Sequence, residues 1–254
     1  MVFQTKAPTQ IMTNKPDTIY ASKKPHLIDF VFDEAVANVF PDMIRRSVPG
    51  YENIITMIGL FAEQYVQEGS QCYDLGCSLG ASTLAMRHHI HTDDVAIIAV
   101  DNSGSMVERC KNNIDKDTSK TDVNILCDDI QNISIQNASM VVLNFTLQFL
   151  EPDKRLELLS NIYNGMNNGG ALVLSEKITF TDPVLRDTNI QLHEAFKKAN
   201  GYTDLEVSQK RSALEKTLIP DTLETQQQRL ADIGFTKIIP WFQCFNFVSI
   251  LVIK

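Results

Sequence analysis

The segment that most constrains the fold of this chain is an octet at residues 73–80, Tyr-Asp-Leu-Gly-Cys-Ser-Leu-Gly. A short apolar stretch ends at Asp74, Gly76 and Gly80 enclose a turn of small residues, and Ala81 opens a helical pattern. Glycine lets a backbone turn sharply and approach a ligand closely. The N-terminus of the following helix offers free N–H groups and a partial positive charge. The octet therefore predicts a strand–turn–helix unit suited to a nucleoside ligand that carries a carboxylate.

An acidic residue further along the chain supports the same site. The apolar stretch at 95–100 ends in Asp101, 25 residues past Gly76, and an acid at the end of a second strand commonly binds a ribose diol. Cys77 and Ser78 occupy the turn, so it departs from the dinucleotide pattern G-x-G-x-x-G. Its form, D-x-G-x-x-x-G, resembles motif I of class I S-adenosylmethionine (SAM) methyltransferases. The alternative is an ordinary tight turn of another α/β protein.

Short apolar stretches alternate with helical patterns through the rest of the chain. Strands are predicted at 72–75, 95–100, 123–127, 140–144 and 171–175, with helices at 80–90, 106–114 and 152–165 and a last strand pair at 237–239 and 245–253. This alternation predicts a mainly parallel sheet with helices on both faces. The expected fold class is α/β, a Rossmann-like class I methyltransferase fold with seven strands and an antiparallel last strand.

Two further helical regions flank this unit. One helix opens at Asp33 or Glu34, a second runs over about 51–66, and a helical insertion at about 182–233 precedes the last two strands. The insertion is too long for a simple crossover, and it is expected to cover the substrate or to build an interface. Residues 1–27 are polar and without period, which predicts a flexible N-terminal leader before a single SAM-binding domain at 28–254.

Composition narrows the class of function. The net charge of −8 argues against direct nucleic-acid binding, which favours a basic surface. The chain shows neither a long apolar run nor a secretory signal, so no membrane association is expected. The five scattered cysteines are typical of reduced thiols in the cytoplasm. His88, His89 and His91 lie near a predicted helix end, where interaction with the helix C-terminus is a better explanation than a metal site.

The topology of an open parallel sheet predicts where the ligand lies. Ligands bind beyond the carboxyl ends of the strands. Gly76, Cys77 and Ser78 are therefore expected to present backbone to the ligand. Asp101 is expected to bind the ribose hydroxyls, with Asn102 beside it.

The third and fourth strands add three candidates at the same edge. The Asp129 carboxylate can accept a hydrogen bond from an adenine amino group, and Ile130 can pack on the ring. Asn144 ends the fourth strand beneath the amino-acid part of the ligand. The alternatives are that Asp101 and Asp129 are cap residues and that Asn144 is a turn residue.

Longer strings of the sequence resemble one family, the carboxy-S-adenosyl-L-methionine (carboxy-SAM) synthases. The first is Val-Phe-Pro-Asp-Met-Ile-Arg-Arg-Ser-Val-Pro-Gly-Tyr at 39–51. Four more follow in order, at 73–78, 137–150, 208–212 (Ser-Gln-Lys-Arg-Ser) and 241–247 (Trp-Phe-Gln-Cys-Phe-Asn-Phe). The matches extend from about residue 30 to the C-terminus, and the segment 1–27 does not share them.

The resemblance implies an unusual reaction. Family members bind SAM, take a carboxyl group from prephenate and release carboxy-SAM and phenylpyruvate. The implied route deprotonates the SAM methyl group to a sulfonium ylide, which captures the carbon dioxide that prephenate loses in a water-excluded site. Carboxy-SAM would supply the carboxymethyl donor for modification of a tRNA wobble uridine. The implied partners are prephenate and a second copy in a homodimer, while a contact with the downstream tRNA carboxymethyltransferase is left open.

Two residue roles follow from the resemblance. Arg211 matches the family arginine that binds the new carboxylate, and it is expected to enter from the partner subunit, because a guanidinium can hold a carboxylate with two hydrogen bonds. Tyr51 is expected to contact the ligand. The alternatives are a surface arginine on an amphipathic helix and a core tyrosine. Two other functions also fit the fold: a conventional SAM-dependent methyltransferase of a small molecule, and a non-catalytic SAM-binding partner of a tRNA-modifying enzyme.

Overall fold

One mixed sheet forms the centre of the molecule. The computed structural model describes residues 15–23, 30–215 and 217–254. Within these residues the strands are β1 Gln71–Leu75, β2 Ala96–Asp101, β3 Asp122–Cys127, β4 Ala138–Asn144, β5 Met166–Lys177, β6 Lys237–Cys244 and β7 Phe247–Ile253. The order is β3-β2-β1-β4-β5-β7-β6, and only β7 runs antiparallel to its neighbours. The predicted seven-stranded sheet with an antiparallel last strand is confirmed.

Helices cover both faces of this sheet. They are α1 Glu34–Ser47, α2 Tyr51–Tyr65, α3 Ala81–His89, α4 Gly104–Lys116, α5 Pro152–Gly165, α6 Pro183–Ala199, α7 Asp204–Leu214 and α8 Leu223–Ile233. The start of α1 is fixed by Asp33, whose carboxylate accepts a hydrogen bond from the Val36 backbone N–H at 2.9 Å, the usual N-cap arrangement. None of the described helices is long and apolar enough to cross a membrane.

Strand β4 shows why the sheet is buried on both faces. Val141 and Leu143 pack into one hydrophobic core, while Met140 and Val142 pack into a second core on the opposite face. Side chains alternate between faces along a strand. A continuous apolar run therefore requires helices on both sides of the sheet.

Strands β5 and β6 extend furthest beyond the bounds that the sequence pattern predicts. Strand β6 continues through Pro240 to Cys244, because β6 is an edge strand and an edge tolerates a residue without an N–H group. Strand β5 begins at Met166, so the Asn-Asn-Gly-Gly segment at 167–170 lies within it. Gly169 has φ +77 and donates its N–H to the Lys254 carbonyl at 2.9 Å. The two glycines thus form hydrogen bonds with Lys254 at the end of the chain.

The predicted insertion at 182–233 consists of α6, α7 and α8, which lie in different environments. Leu230 of α8 is fully buried in the core that also contains Leu158 and Leu159 of α5. Helix α6, in contrast, leaves Val184 and Leu185 exposed at 73 % and 51 %. Helix α8 therefore covers the sheet, whereas α6 keeps part of its apolar surface in solvent.

Residues 15–23 pack against α1 and α7. Asp17 is 1 % exposed and accepts hydrogen bonds from the Tyr202 hydroxyl at 2.5 Å and from the Lys210 ammonium at 3.4 Å. Gln209 donates to the backbone carbonyls of Tyr20 and Ser22. The sequence assigned these residues to a flexible leader, and the buried contacts correct that description for residues 15–23. The rest of that segment, 1–14 and 24–27, lies outside the described residues.

The junction between α1 and α2 depends on one glycine. Gly50 has φ +76 and is the N-cap of α2. A Cβ atom at this position would lie 2.2 Å from Cζ of Phe242 on β6. Because glycine alone combines this dihedral angle with this close approach, the junction fixes where Tyr51, the next residue, enters the molecule.

Candidate functional site

The turn after β1 is shaped by steric contact as well as by its dihedral angles. Gly76 has φ +85, and a Cβ atom there would lie 2.3 Å from Oγ1 of Thr146. The preceding acid, Asp74, is buried and accepts a hydrogen bond from the Thr83 hydroxyl at 2.5 Å. Burial raises the pKa of Asp74 to about 7. Asp74 therefore attaches α3 to the sheet, and Gly76 allows Thr146 to pack directly against the turn.

The backbone N–H groups of Cys77 and Ser78 have partners within the chain, and their expected contact with the ligand stays a prediction. The N–H groups of Gly76 and Cys77 both donate to the Val100 carbonyl, at 2.8 and 2.9 Å. The Cys77 side chain is buried against Cys110, and the hydrogen bond with that thiol, together with burial, raises its pKa. Ser78, at φ +50, donates its N–H to Asp101. The turn is thus fixed by internal hydrogen bonds.

Asp101 ends β2 at the rim of the cleft. Its two carboxylate oxygens each accept one backbone hydrogen bond at 2.9 Å, from Ser78 and from Ser103. Burial raises the pKa of Asp101, while these two N–H donors act in the opposite direction. Each oxygen keeps further acceptor capacity, which suits a ribose diol. Asn102, the next residue, is exposed and lines the same cleft.

Asp129 and Ile130 lie at the end of β3, also on the cleft wall. Asp129 caps a short 3-10 turn at Ile130–Asn132 through a 2.9 Å hydrogen bond from the Gln131 N–H. Asp129 is therefore a cap residue, as the alternative interpretation expected, and it also lines the cleft. Ile130 is buried and belongs to a hydrophobic core. Its apolar side chain therefore lies next to the Asp129 carboxylate in the chain.

Asn144 has a buried polar atom that lacks a hydrogen-bond partner among the described residues. It ends β4, lines the cleft and donates its amide to the Ser82 hydroxyl at 3.4 Å. Its amide oxygen is buried and has no hydrogen-bond partner within the described part of the chain. Buried polar atoms are nearly always paired. This acceptor therefore fits a ligand donor such as an α-ammonium group.

A row of aromatic side chains lines the cleft from the strand ends to α6. Tyr51 lies 6.4 Å from Phe145, Phe145 lies 6.0 Å from Phe247, and Phe247 lies 4.8 Å from the His193 ring, all measured between ring centroids. Burial raises the pKa of the Tyr51 hydroxyl, and the charge of Asp74 adds to this effect. Tyr51 thus lies on the cleft wall as a neutral aromatic side chain, close to the site predicted for the ligand.

Basic side chains form the far wall. Arg211 of α7 lines the same cleft as Asp101 within one chain. Its side chain is 59 % exposed and pairs with Glu194 of α6 at 3.1 Å. The structure thus brings Arg211 to the cleft that the strand-end residues form. Its role toward a carboxylate, like the roles of the other candidates, stays a prediction.

Two lysines on this wall were missed by the sequence analysis. Lys177 ends β5 and Lys197 lies on α6, and both line the cleft. Burial lowers the pKa of Lys197 to about 8, with further lowering by the charges of Lys177 and Lys210. Helical spacing in the sequence could have indicated that Lys197 shares one face of α6 with other cleft residues. Ile190, His193, Glu194 and Lys197 follow i, i+3, i+4 and i+7, and all four line the cleft.

The cleft encloses about 1890 Å³, more than the roughly 300–1,000 Å³ of a site for one small ligand. It has room for a nucleoside and a second small molecule together. Among the described residues, no group of three or more His, Cys, Asp or Glu side chains could hold a metal ion. His88 instead contacts Asp117 at 2.6 Å.

The sheet order and the strand-end site define a class I SAM methyltransferase-type protein. A family model described as "Methyltransferase domain" matches residues 73–170. A Methanococcus maripaludis protein described as a putative SAM-dependent methyltransferase has a solved structure with TM-score 0.56 at 20 % identity, over 89 % of this chain and 95 % of that one. A putative O-methyltransferase from Nostoc punctiforme gives TM-score 0.60 at 15 % identity, over 87 % and 59 %. These structures share the fold.

Curated relatives narrow the class to one family. A carboxy-S-adenosyl-L-methionine synthase from Actinobacillus pleuropneumoniae is 58 % identical over 94 % of this chain and 99 % of its own length. Those from Escherichia coli K12 and Trichlorobacter lovleyi are each 56 % identical, over 94 % and 96 % of this chain and 96 % and 100 % of their own length. The chain belongs to the carboxy-S-adenosyl-L-methionine synthase family.

Proposed function

We propose that this chain converts SAM and prephenate to carboxy-SAM and phenylpyruvate. The reaction balances with loss of one water: SAM gives up a methyl proton, prephenate gives up its ring hydroxyl, and one carboxyl group moves between them. Relatives that cover nearly the whole chain carry the name of this synthase. The resemblance that first suggested prephenate rests on strings along the same length of sequence.

The observation that carries the proposal is the basic wall of the cleft. SAM is itself a sulfonium cation, and like charges close together repel each other. A site that only passed on a methyl group would gain nothing from Lys177 and Lys197 lining its cleft. A reaction that brings a dicarboxylate and leaves a carboxylate on the ligand needs such cations. This argument favours the synthase over a conventional methyltransferase.

The strand-end residues would hold the nucleoside part of the ligand. Asp101 faces the ribose hydroxyls, and Asp129 and Ile130 face the adenine. The unpaired Asn144 oxygen accepts from the α-ammonium group, which satisfies a buried atom that otherwise lacks a partner. Tyr51 excludes water beside the reacting carbon.

The reaction is tested by the mass of the nucleoside product. Purified protein is incubated with SAM and prephenate, and the products are analysed by mass spectrometry. We expect a carboxylated SAM species together with phenylpyruvate. Release of S-adenosylhomocysteine with a methylated acceptor would identify a conventional methyltransferase, and unchanged SAM would identify a non-catalytic binder.

The assembly that we propose is a homodimer in which Arg211 serves the partner's site. Two features support it: α6 exposes Val184, Leu185 and Leu192 at 73 %, 51 % and 44 %, and Arg211 is itself 59 % exposed. Burying these apolar side chains against a second copy would remove them from water, and two-fold symmetry would create two equivalent sites.

Subunit exchange separates this arrangement from one in which Arg211 serves its own chain. Arg211→Ala and Asp101→Ala proteins are mixed under conditions in which labelled subunits are seen to exchange. If Arg211 crosses to the partner, one of the two sites in each heterodimer has both intact residues, so part of the activity returns. No recovery after exchange would assign Arg211 to the site of its own chain.

Two further expectations concern the cell. The carboxymethyl group of carboxy-SAM would go to a tRNA wobble uridine through a separate tRNA carboxymethyltransferase, and co-purification of the two proteins tests a direct contact. The free cysteines of the described structure, three of them buried, support a cytoplasmic location. Fractionation of cells tests that location.

A further inference from the structure

Two ammonium groups in the cleft have no counterion among the described residues. Neither Lys177 nor Lys197 has a side-chain hydrogen bond or ion pair within the described residues, although Lys197 is only 7 % exposed. Their neighbours are paired: Lys198 with Asp204 at 3.1 Å, and Lys210 with Asp17 at 3.4 Å. Lys177 and Lys197 are therefore the unpaired cations of this wall.

Leaving these charges unpaired is costly for the empty protein. Burial lowers the pKa of both lysines, and the neighbouring positive charges lower it further. Glu194 acts in the opposite direction on both, but its carboxylate already pairs with Arg211. A buried charge without a partner destabilises a protein unless a ligand neutralises it. The wall is thus built to receive an anion.

The aromatic row lies beside these cations. His193 lies one helical turn before Lys197 on α6, and its ring packs on Phe247, the residue paired with Lys177 across β5 and β7. His193 is neutral, because burial lowers its pKa to about 3. A flat apolar surface therefore leads directly from Tyr51 to the two lysines.

We propose that Lys177 and Lys197 bind the carboxylate that the co-substrate keeps, the 2-oxoacid end, while its six-membered ring lies along Tyr51, Phe145 and Phe247. This inference rests on the proposed function. It assigns the two lysines a binding role that is distinct from the role of Arg211.

The charge balance of the reaction explains why two separate cationic positions are needed. Prephenate enters with two carboxylates. One leaves the ring as carbon dioxide and reappears on the SAM methyl carbon, and the other stays on phenylpyruvate. The number of carboxylates in the cleft is the same before and after the reaction. The lysines can hold the stationary carboxylate throughout, while Arg211 receives the carboxylate that moves.

The experiment compares three lysine variants of the whole protein. Lys177→Met and Lys197→Met keep the length of each side chain and remove its charge. Lys198→Met, on the same helix but with its partner Asp204 outside the cleft, is the matched control. We measure the KM for prephenate, the affinity for phenylpyruvate and SAM by calorimetry, and the melting temperature.

The expected result separates binding from folding. The KM for prephenate and the Kd for phenylpyruvate should each rise roughly 10- to 100-fold in the first two variants, as for loss of a charged hydrogen bond. SAM affinity should stay unchanged. The melting temperature should not fall, because an unpaired buried charge has been removed. Lys197→Arg should recover part of the prephenate affinity, and Lys198→Met should behave as the wild type.

Three results would overturn the inference. If the wild type forms carboxy-SAM and both methionine variants keep its prephenate KM and phenylpyruvate affinity, the carboxylate binds elsewhere and the proposed function survives. If the wild type forms no carboxy-SAM, the proposed function fails and the lysine assignment fails with it. A fall in melting temperature with unchanged phenylpyruvate binding would make the lysines structural.

Discussion

The two halves of the cleft are built from different kinds of structure. In the strand-end half, Gly76, Asp101 and Asn144 follow three neighbouring strands and are fixed by backbone hydrogen bonds, steric contact or burial. In the cationic half, Lys197 and Arg211 lie on α6 and α7, two helices of the insertion, and Lys177 ends β5 beside them. The first half fits what every SAM ligand shares. Under the proposed function, the second half serves the added carboxyl chemistry.

This difference teaches that fold and reaction are encoded separately. The strand ends converge because a parallel sheet must bring them to one edge. Nothing in the sheet requires basic residues on the inserted helices, so the chemistry can change there while the nucleoside site is kept. The two halves should therefore respond differently to mutation.

The largest difference is expected for Arg211→Ala. Loss of the guanidinium should weaken carboxy-SAM binding by about 2–5 kcal/mol, because a buried carboxylate loses its partner. SAM lacks that carboxylate, so its affinity should change little. Calorimetric titration with both ligands measures the difference, and Arg186→Ala, an exposed arginine of α6, is the control. An equal loss for both ligands would contradict the division of the cleft.

Asp101→Ala should show the opposite pattern. Removing the carboxylate should weaken SAM and carboxy-SAM alike by about 1.5–3 kcal/mol, since both ligands carry the same ribose. Calorimetry on both ligands provides the measurement, and Asp122→Ala, an exposed acid at the start of β3, is the control. Wild-type SAM affinity in Asp101→Ala would remove this residue from the nucleoside site.

Asp17→Ala tests whether residues 15–23 support the cationic half. The substitution leaves Lys210 buried without its carboxylate and removes the acceptor of the Tyr202 hydroxyl. The free energy of unfolding should fall by about 1–3 kcal/mol. Chemical denaturation measures this change, with Asp204→Ala, whose side chain is 89 % exposed, as the control. If helix α7 is displaced, the prephenate KM should rise while SAM affinity holds. Unchanged stability would show that the segment is dispensable.

The smallest effect concerns the pH dependence of stability. The folded-state pKa of Lys197 is lowered from 10.5 to about 8, so between these values the unfolded chain binds more protons and stability rises with pH. Lys197→Met lacks this contribution. Its stability advantage over the wild type should be greatest near pH 7 and shrink by about 1 kcal/mol toward pH 9. Denaturation at both pH values tests this. A constant difference would mean that Lys197 titrates normally.

The strand-end half could be predicted from sequence because its logic is topological. Once strands and helices alternate, Gly76, Asp101 and Asn144 must lie near one another, whatever the side-chain packing. The unpaired state of the Asn144 oxygen could not be predicted, since it depends on atoms contributed by several elements.

The cationic half could not be predicted from single residues. A lysine on a helix usually faces solvent, and burial of Lys197 depends on how α6 lies against β5 and β7. Arg211 was found only through resemblance to a family. Asp17 was missed because a polar segment gives no periodic signal, and its burial depends on Tyr202 and Lys210, far along the chain. The predicted strand at 237–239 was too short. A proline at 240 suggests a strand end, and sequence alone does not identify an edge strand, where proline is tolerated.

The five family-like strings are joined in space. Gly50 lies against Phe242, Tyr51 against Phe145, and Gly76 against Thr146. The Lys210 ammonium donates to the Ser47 hydroxyl at 2.8 Å. These contacts connect all five strings into one wall. Because the five strings form one surface, their presence in a sequence is correlated. Five matches are therefore weaker evidence of family membership than five independent matches would be. A chain that keeps four strings and loses the fifth has lost part of one shared surface, and its membership in the family should be judged on that surface.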